Sequence, residues 1–246
     1  MDDIEVVVAH PERATVRVGD VFLKIDTEQA QADREVEAMS LAPIPTAEIL
    51  WRRPPVLALA ALPGVPVARL GEPATSSPAA WEAAGAVVRR LHDAPLPAWE
   101  SKRGADRAAM LDRESDWLLD QGTLPRDTIA RGRELALTTL APRPQAFVHG
   151  DLQVAHVFID ENDQVTGVLD WSEAGAGDPA YDLATLTLGH PERLHQVLTG
   201  YGRDVDRDLV RGWWALRCLT AIRWLVEHDY DPFAPGCEAQ VLRSIV

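Results

Sequence analysis

Lysine is nearly missing from this sequence: of 24 basic side chains only two, Lys24 and Lys102, are lysines. Each therefore raises the question of what it is for. Cysteine is as scarce, with Cys218 and Cys237 alone. Two thiols cannot build a metal site by themselves, match no redox spacing, and read as reduced groups of a cytoplasmic protein. A long apolar run is also missing. The longest, 56–68, is interrupted by Pro63, Gly64 and Pro66, so no membrane span is expected. The opening residues lack the basic and apolar regions of a signal peptide. Positive charge is short throughout: 38 acids against 24 bases give a formal net charge of −14. Such a chain repels phosphate backbones and anionic lipid, which argues against nucleic-acid and membrane partners.

What is there is a globular composition. The 246 residues are 46% hydrophobic and 25% charged, enough to bury roughly 70–75% of the unfolded surface. The charge is unevenly spread. Residues 1–62 carry 11 acids and 6 bases, residues 63–146 carry 11 of each, and residues 147–246 carry 16 acids and 7 bases. Strand-like runs at 4–9, 14–18 and 21–25, with a Gly19-Asp20 turn, suggest an antiparallel meander. A helix is expected over 28–41, then short strands at 47–51 and 56–62. From Pro78 the pattern turns helical, with Ser76 or Ser77 as cap. A loop is expected over 96–106, with helices near 106–120 and 126–140. A second strand-rich patch covers 146–171, and late helices carry Trp213, Trp214 and Trp224, read mainly as core.

The densest chemistry lies in His149-Gly150-Asp151-Leu152-Gln153-Val154-Ala155-His156 and in Val168-Leu169-Asp170-Trp171-Ser172-Glu173. Residues 157–160 and 165–169 form a hairpin. Pairing Asp160 with Val165 puts His156 opposite Leu169, and a one-residue shift puts it opposite Asp170. Either register leaves the His156 and Asp170 side chains within about 5–8 Å. Asp151 lies just upstream, so two carboxylates and an imidazole converge. Taken alone, His149, Asp151, His156 and Asp170 also admit a metallohydrolase reading.

These motifs resemble the aminoglycoside phosphotransferase family, whose pattern is His-Gly-Asp-x-x-x-x-Asn followed by Leu-Asp-Trp. The resemblance implies an α+β, protein-kinase-like bilobal fold: a small antiparallel β N-lobe and a larger, mainly helical C-lobe. The N-lobe would span 1–62 with a hinge at about 58–66, and the C-lobe 67–246, with a catalytic loop at 149–156 and a metal-binding segment at 168–173. It implies Asp151 as catalytic base and Asp170 as main Mg²⁺ ligand. His156 stands where the family has Asn, as in the similar macrolide phosphotransferases. Imidazole suits Mg²⁺ less well than oxygen does, so His156 ligates it weakly, through water, or only orients Asp151.

The same resemblance places Lys24 on the strand that grips the α- and β-phosphates, with Glu35 as partner and Glu37 as rival. The ordinary reading of a strand lysine, on the solvent face of an alternating pattern, competes with this. The segment 56–64 resembles the hinge that meets the purine, at Ala60 and Leu62, by backbone groups that cannot choose ATP over GTP. The turn His10-Pro11-Glu12-Arg13 departs from the family by having no glycine. Asp182 would brace the catalytic loop, Asp178 would cap a helix, and His92 looks like a packing residue. The expected activity is transfer of phosphate from ATP or GTP, with Mg²⁺, to a hydroxyl of a cationic small molecule. Aminoglycoside and macrolide antibiotics are the leading acceptors. A metabolic amine or sugar alcohol is the alternative, and a nucleotide-binding pseudokinase a third reading.

Overall fold

The computed structural model describes residues 4–101 and 106–246. Lys102 and part of the loop expected over 96–106 lie outside them. Strands β1 (Ile4–His10), β2 (Arg13–Val18), β3 (Val21–Asp26), β4 (Ile49–Arg53) and β5 (Val56–Ala60) form one antiparallel sheet in the order β1-β2-β3-β5-β4. Helix α1 (Gln29–Leu41) follows β3 and presents Ala32, Glu35, Ala38 and Met39 to the interior. The strand expected at 47–51 is displaced, because β4 is an edge strand carrying Trp51, Arg52 and Arg53 and its pairing runs on to Arg53↔Val56. Ala47 is buried beside it as a loop residue.

The chain enters the second lobe before residue 67. Strand β6 (Val65–Pro66) already pairs with β8 (Val157–Ile159), which pairs in turn with β9 (Val165–Val168). Strand β7 (Ala146–Val148) pairs with β10 (Gly175–Gly177). The rest is helical: α2 (Pro78–His92), α3 (Arg107–Gln121), α4 (Arg126–Leu137), α5 (Pro179–Thr187), α6 (Leu194–Tyr201), α7 (Arg207–Glu227) and α8 (Glu238–Ile245). Ser77, not Ser76, caps α2 by accepting the Ala80 N–H, and Pro78 supplies the first helical residue. Among the described residues no helix is long and apolar enough to cross a membrane.

Two apolar clusters hold the molecule together. One runs from Ala38, Met39, Leu57 and Leu59 of the sheet lobe to Trp81, Phe147 and Trp171 of the helical lobe, so the lobes share a core. The other packs α3, α4, α5, α7 and α8 around Trp213, Trp214 and Leu219. Trp224 departs from the core reading: it is 44% exposed, near the end of α7, stacked on His228 and Tyr230.

Candidate active site

Strand β3 is turned inside out at its end. Lys24 and Asp26 are buried while Ile25 faces solvent, the reverse of what hydrophobic burial alone selects. Lys24 thus lies on the interior face, and its Nζ donates to Glu35 Oε1 at 2.5 Å and to Asp170 Oδ1 at 3.1 Å. Glu37 is exposed, which decides the partner in favour of Glu35. Arg13, the first residue of β2, donates through Nε to Asp26 Oδ1 at 2.7 Å. Its Nη1 reaches both oxygens of Asp170, at 2.9 and 3.2 Å. Three carboxylates and two cations meet here. Burial alone would raise the Asp170 pKa, but Lys24 and Arg13 outweigh it and hold the carboxyl well below its usual value.

The segment expected to be the catalytic loop, 149–156, follows β7. At Gly150 φ is +83°, and a Cβ would stand 2.3 Å from the Glu173 carbonyl oxygen, so only glycine fits. Asp182, at the start of α5, accepts the His149 N–H at 2.7 Å and the Gly150 N–H at 2.9 Å. His92 Nε2 is 3.1 Å from the same carboxylate, and its Nδ1 is 3.0 Å from the Tyr201 hydroxyl. His92 is therefore part of the brace, not only a packing residue. Asp178 caps α5 by accepting the Ala180 N–H. His149 donates from Nε2 to the Leu169 carbonyl at 2.8 Å, while its Nδ1 accepts the Asp151 N–H at 3.3 Å. Both ring nitrogens are spent on backbone, and burial pushes its pKa down. A neutral, saturated His149 cannot ligate a metal, which removes the four-residue metallohydrolase reading.

Asp151 Oδ2 accepts from Gln153 Nε2 at 2.9 Å, and Oδ1 lies 3.1 Å from Arg217 Nη1. Arg217 comes from the buried middle of α7. Burial works against its charge, but Tyr181, Asp151 and Glu238 keep it protonated. Sequence reading missed it, because nothing in α7 distinguishes this arginine until the helix is packed. Arg13 and Asp26 were missed too, although the inverted polarity of β3 was a visible signal. His156 donates from Nδ1 to the Asp151 carbonyl at 2.9 Å, which leaves Nε2 with its lone pair. The Leu169 N–H bonds the His156 carbonyl, so the expected His156–Leu169 register holds at this end. Near the turn a bulge moves Val165 opposite Ile159. Asp170 takes a left-handed backbone, φ 62°, just after the end of β9. Trp171 is fully buried 4.8 Å from the His149 ring and locks the two motifs together.

At the hinge the Ala60 N–H bonds Glu48 O and the Ala61 N–H bonds Asp20 O. Ala60 therefore has no free N–H to offer a purine.

The family model for the phosphotransferase enzyme family matches residues 12–216. This chain belongs to that family. A curated relative, viomycin phosphotransferase of Streptomyces vinaceus, is 30% identical over 214 residues, covering 74% of this chain and 68% of its own. Streptomycin 3''-kinase of Streptomyces griseus is 32% identical over 139 residues, covering 51% of this chain and 50% of its own. Among solved structures, aminoglycoside phosphotransferase APH(3'')-Id of Streptomyces rimosus is 25% identical with a TM-score of 0.64, covering 88% of this chain and 92% of the other. The same protein has been solved with ADP and streptomycin. A macrolide 2'-phosphotransferase, 21% identical with a TM-score of 0.68 over 97% of this chain and 90% of its own, supports the kinase-like fold. As a member of the phosphotransferase family the chain is an enzyme that transfers phosphate from a nucleotide to a hydroxyl group.

Proposed function

We propose that this phosphotransferase inactivates a cationic antibiotic, with ATP or GTP as donor and Asp151 as the base. The observation that carries the reading is the ion cluster joining Lys24 and Glu35 of the sheet lobe to Asp170 of the helical lobe, one hairpin away from Asp151. Asp151 receives the acceptor's hydroxyl proton, and Gln153 and Arg217 fix the direction of its oxygens. Lys24 grips the phosphates, oriented by Glu35. The Leu62 backbone meets the purine. Arg13 replaces the missing glycines: a side-chain fork from the start of β2, rather than backbone amides of the turn, faces the phosphates. Its Nη2 is buried without a partner among the described residues, and a guanidinium suits phosphate oxygens.

The donor set fits Mg²⁺ at Asp170, a carboxylate whose cluster carries one more negative than positive group, with His156 Nε2 as a second, weaker ligand. When bound, Mg²⁺ supplies charge neutralisation at the β- and γ-phosphates. With Mg²⁺ held at Asp170, the present ionic partners of that carboxylate, Arg13 and Lys24, would be free to face phosphate.

The acceptor's class rests on the viomycin and streptomycin relatives more than on bulk charge. Of the nine excess negatives in residues 147–246, that of Asp170 is already countered by Lys24 and Arg13 of the other lobe, and Asp151, paired with Arg217, adds none. A nucleotide donor and two unpaired cysteines suit a cytoplasmic reaction. The test is nucleoside-diphosphate release with Mg²⁺ and ATP or GTP against viomycin, streptomycin, a macrolide and simple amino alcohols. Turnover with a cationic antibiotic is expected. Turnover with amino alcohols alone would make the enzyme a metabolic kinase, and nucleotide binding without any turnover would make it a pseudokinase.

A further inference from the structure

The β1–β2 turn is tied down at a second place, away from the phosphates. His10 Nδ1 lies 2.9 Å from Glu12 Oε2, and His228 Nε2, from the C-terminal end of α7, lies 3.4 Å from the same oxygen. Among the described residues this is the one group of three histidine, cysteine or acidic side chains whose ligand atoms all fall within 4.8 Å of each other. The His228 Nδ1–H donates to the Trp224 carbonyl at 2.8 Å. That bond puts a proton on Nδ1 and leaves Nε2 as the atom that faces the Glu12 carboxylate, at 3.4 Å.

A backbone carbonyl holding the remote N–H of a histidine is the usual support of a metal-ligating imidazole. The spacing fits as well: with metal–ligand bonds of about 2.0–2.1 Å, neighbouring ligands of a tetrahedral ion stand roughly 3.3 Å apart. The rings are fixed in place by stacking, Trp224 on His228 at 4.1 Å, with His10 set edgewise to both. Glu12 is 62% exposed, which leaves a solvent-side position for a water as fourth ligand. Two imidazoles and one carboxylate suit Zn²⁺ and its neighbours, not Mg²⁺.

We propose that His10, Glu12 and His228 bind one Zn²⁺-class ion, which clasps the β1–β2 turn to the helical lobe. His10 moves its proton to Nε2 to ligate through Nδ1, a tautomer exchange with no net proton lost. Because Arg13 is the next residue after Glu12, an occupied clasp holds the phosphate-facing turn shut and slows nucleotide exchange. The site does not depend on which acceptor the enzyme uses, so failure of the proposed substrate would leave it standing.

The test is Co²⁺ titration of the full chain without nucleotide, read by the visible absorption of tetrahedral Co²⁺, followed by displacement with Zn²⁺. Wild type and Asp170→Asn should each take up one ion with the tetrahedral spectrum. His228→Gln and Glu12→Gln, checked for native circular dichroism, should bind at least ~10-fold more weakly. In stopped flow, Zn²⁺ should slow release of a fluorescent ATP analogue from wild type and not from His228→Gln. Uptake unchanged in both clasp variants, or lost in Asp170→Asn alone, would overturn the site. Equal release rates with and without Zn²⁺ in wild type would overturn the clasp.

Discussion

Asp151 is held from two sides by groups of unlike kind: an amide, Gln153, on one oxygen and a buried guanidinium, Arg217, on the other. As the proposed base, Asp151 would meet an acceptor hydroxyl with its orientation already set, which is how a base gains rate without large movement. Asp151→Ala should lower turnover by ~10²–10⁴-fold while nucleotide affinity stays within about twofold. Steady-state kinetics beside nucleotide titration checks this, and unchanged turnover would remove Asp151 as the base. The His149-Gly150-Asp151 pattern itself was legible because it is local. Arg217 was not, since its contact with Asp151 spans 66 positions and exists only once α7 packs behind the loop. Lys24 lay between these cases. Its rarity marked it, but its burial had to be seen, because alternation along a strand does not say which face is inside.

At the scale of elements, the catalytic loop takes its shape from α5. The Asp182 carboxylate receives two consecutive N–H groups, from His149 and Gly150, and His92 closes the set from α2. Asp182→Asn replaces one accepting oxygen with an NH₂ that faces an N–H donor, so one of these bonds must break. We expect kcat to fall ~10-fold or more with nucleotide KM little changed, because the phosphate cluster lies on other elements. Steady-state kinetics with varied nucleotide separates the two. Equal losses in both would mean that the whole lobe, not the loop, had moved. Most elements followed from periodicity and punctuation, as with the three-strand meander and the Ser77–Pro78 start of α2. Two did not. β4 sits at a sheet edge, where pairing rather than apolar burial decides its extent. β10 is Gly-Ala-Gly, without strand propensity, and exists because β7 offers it a ladder.

Taken whole, the molecule is two lobes joined by a common core and by charge across the cleft. Buried histidines set its acid limit. Burial pushes the pKa of His190 down, against the opposing pull of Glu192, and does the same to His149. The unfolded chain therefore takes up protons first as pH falls through about 6.5, and stability present above that pH declines toward the lowered folded values. His190→Gln should flatten the fall in urea midpoint between pH 7 and 5 relative to wild type. A slope identical to wild type would mean His190 is not part of it. The cleft itself is bridged by Arg13, which binds Asp170 in the helical lobe and Asp26 in its own. If Arg13 serves phosphate and Asp170 holds Mg²⁺ as proposed, Arg13 would exchange Asp170 for phosphate, since one carboxylate cannot serve guanidinium and Mg²⁺ equally. Arg13→Gln removes the fork and the charge and shortens the side chain, leaving a donor only at about the Nε position. Loss of a charge-assisted contact of about 1.5–3 kcal/mol corresponds to roughly 10–100-fold in affinity. Nucleotide KM should thus rise about tenfold or more while kcat changes less. If Arg13 instead only obstructs Asp170, the same variant would lower the Mg²⁺ requirement and leave nucleotide KM unchanged. A two-way titration of Mg²⁺ and nucleotide separates these outcomes, and the geometry of the turn favours the first.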